Sequence, residues 1–69
     1  MISYNPLKKL LIDRKMKPEH LRRALNLSFN TMSHISKDEY VEMQTIDKIC
    51  NYLNCRVEDV MEHVKDDKL

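Results

Sequence analysis

Residues 29–37, FNTMSHISK, place an amide, a hydroxyl, an imidazole and an amine at helical spacing with no acid among them. At about 100° per residue, Asn30, Ser33, His34 and Lys37 fall on one side of a helix and Met32 and Ile35 on the other. Such a face donates and accepts hydrogen bonds without repelling an anion. These groups match the base edges exposed in the major groove of duplex DNA. Asn pairs bidentately with adenine, Ser and Thr bond several bases, and an aromatic ring or methyl group touches the thymine methyl. On this reading Asn30 and His34 are the leading base contacts, Phe29, Thr31 and Ser33 support them, and Lys37, just past the helix, meets phosphate. Four of these residues are open to a second reading, Asn30 as a simple solvated amide and His34 as a simple surface histidine. Phe29, the only Phe of the chain, can instead fold onto Leu25 or Tyr40 as core, and Thr31 can simply reinforce the helix start through the backbone.

A reading face needs elements to hold it, and the stretch from Lys17 to Ile35 supplies them. It reads as two short helices and a tight turn. Pro18 suits a first helical position, where no backbone N–H is needed, and Ser28 suits an N-cap, where its hydroxyl accepts an orphan N–H. Leu21, Ala24 and Leu25 recur at helical spacing between them. Asn26 stands where the first helix must stop; Asn tolerates the left-handed conformation, and the chain has no glycine to use instead. Leu27 then drops into the core. The spacing predicts one helix over Pro18–Leu25 and the next over 29–36, the layout of a helix-turn-helix reader.

The remaining residues predict three further helices and no strand. Asn5 as N-cap and Pro6 at the first position open a helix reaching about Lys15, with Leu7, Leu10 and Leu11 on one face. Ile12 lies off that face and either packs on Ile2 and Tyr4 or marks a partner surface, with packing the reading taken. Ser36 to Glu42 forms a polar connection in which Tyr40 and Val41 tuck inward. Met43–Leu53 carries Ile46, Ile49, Cys50 and Leu53 as one stripe, with Gln44, Asp47, Lys48 and Asn51 facing water, and Asn54 as its stop. A fifth helix over Val57–Val64 turns Val57, Val60, Met61 and Val64 inward. Residues 65–69 are expected to be a flexible tail. The fold expected is therefore all-α, a single five-helix domain over 1–69.

Composition narrows the function. With 42% apolar and 33% charged residues in 69, the chain suits one small folded domain rather than a disordered segment. Its longest apolar run, Leu10 to Ile12, is far short of a membrane span, and the N-terminus lacks the layout of a signal peptide, so a cytoplasmic location is expected. Cys50 and Cys55 form no CxxC pair and have no His at metal-ligand spacing. Cys50 reads as a small core residue, and no metal or cofactor is expected. The net charge of +1 hides an uneven distribution: residues 1–37 carry eight cations against Asp13 and Glu19, a net +6, and residues 38–69 carry four cations against nine acids, a net −5. A basic half that contains the reading face is the pattern of a domain that meets phosphate on one side. Catalysis is not expected. A phosphate loop needs glycine, and His20, His34 and His63 fall on different predicted helices without a partner set.

The segments LRRALNLSFNTMSHI and IDKICNYLNCRVEDVMEHV, with the order of elements from Pro6 to Val64, resemble the Cro-like repressor domains of the XRE helix-turn-helix family, in particular small free-standing bacterial and phage regulators. The resemblance implies a five-helix domain whose third helix enters the major groove, often as a homodimer on a palindromic operator. It implies base contacts from Phe29, Asn30, Thr31 and His34, and phosphate contacts near Lys17 and around Lys37; Arg22 and Ser28 are added to the phosphate set. The chain departs from the family pattern at Lys17 and Pro18, which replace a polar side-chain clamp, at Asn26, which replaces a turn glycine, and at Arg22, which replaces an alanine. Asp38 and Glu39 set negative charge beside the expected DNA surface. The function expected is a sequence-specific, double-stranded DNA-binding transcriptional regulator, a repressor. The alternative is a protein-interaction module of the same fold, antitoxin-like or an anti-repressor partner, with DNA binding weak or dependent on a protein partner.

Overall fold

The computed structural model describes residues 1–66. These form β1 (Ile2–Ser3), α1 (Asn5–Asp13), α2 (Pro18–Leu25), α3 (Phe29–Ser36), α4 (Met43–Leu53), a 3₁₀ turn (Val57–Asp59) and β2 (Glu62–His63). Helices α2, α3 and α4 have the bounds that capping and periodicity predict. Leu7, Leu11, Leu21, Ile35, Ile46, Ile49 and Leu53 are buried together with Tyr4 and Val60, and Leu27 is buried in the turn. Each helix contributes an i, i+3 or i, i+4 stripe to this core, which is why the reading motif has a rigid back. Leu25, Met32 and Cys50 are half-buried against it, while Ala24 faces outward.

Four helices rather than five is the main correction. Val57, Val60, Met61 and Val64 have helical spacing, but only Val60 is fully buried; Val57 and Val64 are exposed. Three β-branched residues in an eight-residue segment make a poor helix without extensive packing. Here the N-terminus offers the backbone a competing partner. Residues 57–59 make a single 3₁₀ turn, in which the Asp59 carboxylate accepts from the Arg56 N–H at 3.0 Å. The chain then extends to pair antiparallel with β1, Ile2 opposite His63 and Ser3 opposite Glu62. The ladder is extended by Val64 N–H to the Met1 carbonyl at 2.8 Å and by the Met1 amine to the Val64 carbonyl at 2.9 Å. The expectation of no strand is corrected by the same pairing.

Other differences are local. Asn5 is the first residue of α1 rather than its cap, and its N–H donates to the buried Ser3 hydroxyl at 3.2 Å. The helix ends at Asp13, two residues before the expected Lys15. Ile12 does not pack on Ile2 and Tyr4 but is 75% exposed, and Tyr40 is 77% exposed instead of tucked inward. Val41 is half-buried against the core. The tail expected at 65–69 falls partly outside the described residues.

Without glycine, each helix is terminated by a residue held in the left-handed region: Lys15 (φ 56°), Asn26 (54°), Asp38 (59°) and Asn54 (51°). In each case the N–H of the following residue reaches back to a carbonyl of the last turn: Met16 to Leu11 at 2.8 Å, Leu27 to Arg22 at 2.9 Å, Glu39 to His34 at 2.8 Å and Cys55 to Cys50 at 3.1 Å. These closures satisfy carbonyls that a helix end otherwise leaves unpaired. The Arg14 guanidinium adds a cationic cap on the Leu53 carbonyl at the end of α4.

Candidate nucleic-acid interface

The interface is built on the turn between α2 and α3. Asn26 reverses the chain, Leu27 anchors it in the core, and the Ser28 hydroxyl accepts the Thr31 N–H at 3.0 Å while donating to the Thr31 hydroxyl at 3.0 Å. These constraints fix where α3 starts and which face it shows. Ile35 lies at the centre of the buried side, and Phe29, Asn30, Ser33, His34 and Lys37 lie around the opposite side.

The residues of this face divide between two grooves. Asn30, Thr31 and His34 line one together with Tyr40, Val41, Glu42 and Thr45, so the loop before α4 forms its far wall. The Nδ1 of His34 lies 3.2 Å from the Tyr40 carbonyl. A carbonyl can only accept, so Nδ1 carries the proton, and in the neutral ring Nε2 is left as an acceptor. Phe29 and Ser33 line the other groove, beside Pro18 and Met32, and Phe29 is 74% exposed. That exposure excludes the reading of Phe29 as core on Leu25 or Tyr40. Thr31, half-buried like Ser33 and His34, differs in having its hydroxyl and N–H engaged by Ser28, which reinforces the helix start.

The four residues expected on phosphate also divide. Lys17 and Lys37 are exposed, at the N-cap of α2 and the C-cap of α3, and have no ion pair among the described residues. Arg22 is engaged within the motif. Its Nε donates to both Glu19 oxygens at 3.0 Å, its Nη2 bonds Glu19, and its Nη1 donates to the Leu27 carbonyl at 3.2 Å. Its guanidinium carbon sits 4.0 Å from the centroid of the Phe29 ring. The Arg22 hydrogen bond holds the Glu19 carboxyl below the usual range, with Arg23 contributing, and Glu19 in turn raises Arg22. Ser28 has its hydroxyl committed to the cap.

Asp38 is committed to the N-terminal segment. Its Oδ1 accepts from the Tyr4 N–H at 2.9 Å and lies 3.4 Å from Lys8 Nζ, which also bonds the Ser36 carbonyl at 3.3 Å. The backbone bond from Tyr4, with help from Lys8, holds this carboxyl below the usual aspartate range. The Tyr4 phenol donates to the Glu39 carbonyl at 2.7 Å, and burial pushes its pKa up. A clamp therefore joins β1 and α1 to the end of α3. Sequence reasoning missed it because residues 28 to 35 apart leave no local signal. The Glu19 to Arg22 and Arg23 pairs, by contrast, have the i, i+3 and i, i+4 spacing from which they are readable.

Residues 6–66 match the family model of the Cro/C1-type helix-turn-helix DNA-binding domain. No curated protein matches the sequence. The crystal structure of a transcriptional regulator, VanUg, is similar at a TM-score of 0.91 and 43% sequence identity, covering 94% of this chain and 87% of that one. The four helices around a fixed turn, the outward face of α3 and the match across 6–66 together place this chain in the Cro/C1-type helix-turn-helix DNA-binding family.

Proposed function

We propose that the chain is a sequence-specific regulator of transcription that binds double-stranded DNA with α3 in the major groove and represses by occluding a promoter. The observation that carries this reading is the acid-free outer face of α3, held in one orientation by the Asn26 turn and the Ser28 cap. Asn30 presents an amide suited to adenine, and the Nε2 acceptor of His34 suits an exocyclic amine of adenine or cytosine. Ser33 is the supporting polar contact and Phe29 the apolar one. Lys17 and Lys37 meet the backbone at the two ends of the motif, while Arg22 and Ser28 shape the turn. Binding of this kind draws affinity from phosphate charge and selectivity from base edges.

The working form in this reading is a homodimer in the cytoplasm on a two-fold operator. Selection of bound sequences from a random DNA pool tests both points, because a dimer enriches two inverted half-sites about one helical turn apart. Fluorescence anisotropy on the enriched DNA should then show saturable binding at ~50 mM salt. No enrichment, together with no binding at that salt, would overturn the reading and favour a protein-interaction module.

A further inference from the structure

We infer that Arg22 is a positioning residue that holds the Phe29 ring against the DNA, and that this ring reads the C5 methyl of a thymine. The inference rests on the proposed DNA-binding function and assigns a ligand group to one part of the site. An exposed phenyl at the first turn of α3 needs an explanation, since aromatic rings are ordinarily drawn inside. The ring is not left to swing freely. The Arg22 guanidinium lies over it at 4.0 Å and is itself fixed by the Glu19 carboxylate and the Leu27 carbonyl, so helix α2 and the turn together set the ring's position. The Arg22 side chain is only 16% exposed, and its charge is answered by Glu19. To grip a phosphate bidentately, it would have to release both the carboxylate and the ring.

With one ring face stacked on Arg22, what remains for a ligand is apolar. Pro18 and Met32 continue that character into the adjoining groove. The thymine methyl is the one apolar group that unmodified bases present along the major-groove edge. Removing that methyl at the contacted position should cost about fourfold in affinity, the value of one buried carbon.

Deoxyuridine in place of each operator thymine in turn isolates this group, because it keeps the pairing and loses only the methyl. The wild type should lose about fourfold at one thymine of each half-site, and Phe29→Ala should lose that discrimination. Arg22→Lys keeps the cation but not the planar stack, and Glu19→Gln loosens the guanidinium. Both should reduce the thymine-to-uracil ratio toward one, and Arg22→Lys should do so while leaving the dependence of affinity on salt unchanged. Circular dichroism melts confirm that each variant is folded, and the two variants act on the ring by separate routes. A folded Arg22→Lys or Glu19→Gln protein that keeps the full ratio would overturn the positioning role. An Arg22→Ala protein that keeps the ratio but shows a shallower salt slope would instead make Arg22 a phosphate contact. A wild type that binds its operator without sensing any thymine methyl also overturns the inference but leaves the DNA-binding reading standing; absence of binding removes both.

Discussion

Asn30 and Ile35 occupy the same helix with opposite exposures, and they separate recognition from folding at the level of single side chains. Asn30 is exposed and makes no contact that the fold requires, whereas Ile35 is buried at the centre of the core cluster. Asn30→Ala should therefore weaken specific binding by about 1–3 kcal/mol while moving folding stability by only a few tenths. Ile35→Ala should lower stability by about 2–5 kcal/mol through lost burial and an unfilled cavity. Anisotropy titrations and urea unfolding of the two variants check the split, and a comparable loss of stability in both would disprove the face assignment. This division was legible in the sequence because a helix repeats every 3.6 residues, so residue spacing alone separates the two sides. What each polar side chain touches was not. The partner of His34 is a carbonyl of the following loop, and Arg22, a phosphate candidate from sequence, has its donors on Glu19 and the Leu27 carbonyl and its guanidinium over the Phe29 ring.

At the scale of elements, the four glycine-free helix ends set the boundaries of the fold, and they are unequal. Asn and Asp reach the left-handed region with help from their short polar side chains, but Lys15 has no such help, and a side chain bearing Cβ pays about 1–2 kcal/mol there. Lys15→Gly should consequently stabilise the domain by about 0.5–1 kcal/mol, the gain being trimmed by the larger entropy of glycine in the unfolded chain. Thermal melts of this variant beside Asn26→Gly test the ranking, since the asparagine site should gain less. Asp38 adds a pH dependence to its own helix end. Its folded pKa is depressed by the Tyr4 N–H and by Lys8, so its contribution is present above the ordinary aspartate range and is lost as pH falls through and below it. Asp38→Asn keeps a residue suited to the left-handed turn and removes the charge, so the drop in melting temperature between pH 5 and pH 3 should shrink in that variant. The stops at Asn26 and Asn54 were readable because asparagine signals its own turn. The stop at Lys15 and the two-residue strands were not: a lysine carries no such signal, and the pairing of Ile2 with His63 joins the two ends of the described chain.

Across the whole molecule, the fold divides the cations of the basic half into paired and unpaired ones among the described residues. Within the basic half, Arg22 and Arg23 are paired with Glu19 and Lys8 is paired with Asp38, so three of the eight cations are already answered by acids. Lys17 and Lys37 remain exposed at opposite ends of the helix-turn-helix without ion pairs among the described residues. Each phosphate neutralised releases condensed counterions, which makes the logarithm of affinity fall by about 0.9 per contact for each tenfold rise in salt. Replacing Lys17 and Lys37 together by Gln should thus make the salt slope shallower by about 1.8 for each bound protomer, and should weaken operator and random DNA alike. Glu58→Gln and Glu62→Gln, which change net charge by two in the opposite direction and lie outside the motif, should leave the slope unchanged, because no phosphate contact is gained or lost. Affinity measured from ~50 to 200 mM salt for the wild type and both pairs separates a local grip from a general field. Slope changes of similar size and opposite sign from the two pairs would mean that the charge of the whole domain, rather than two placed lysines, holds the DNA.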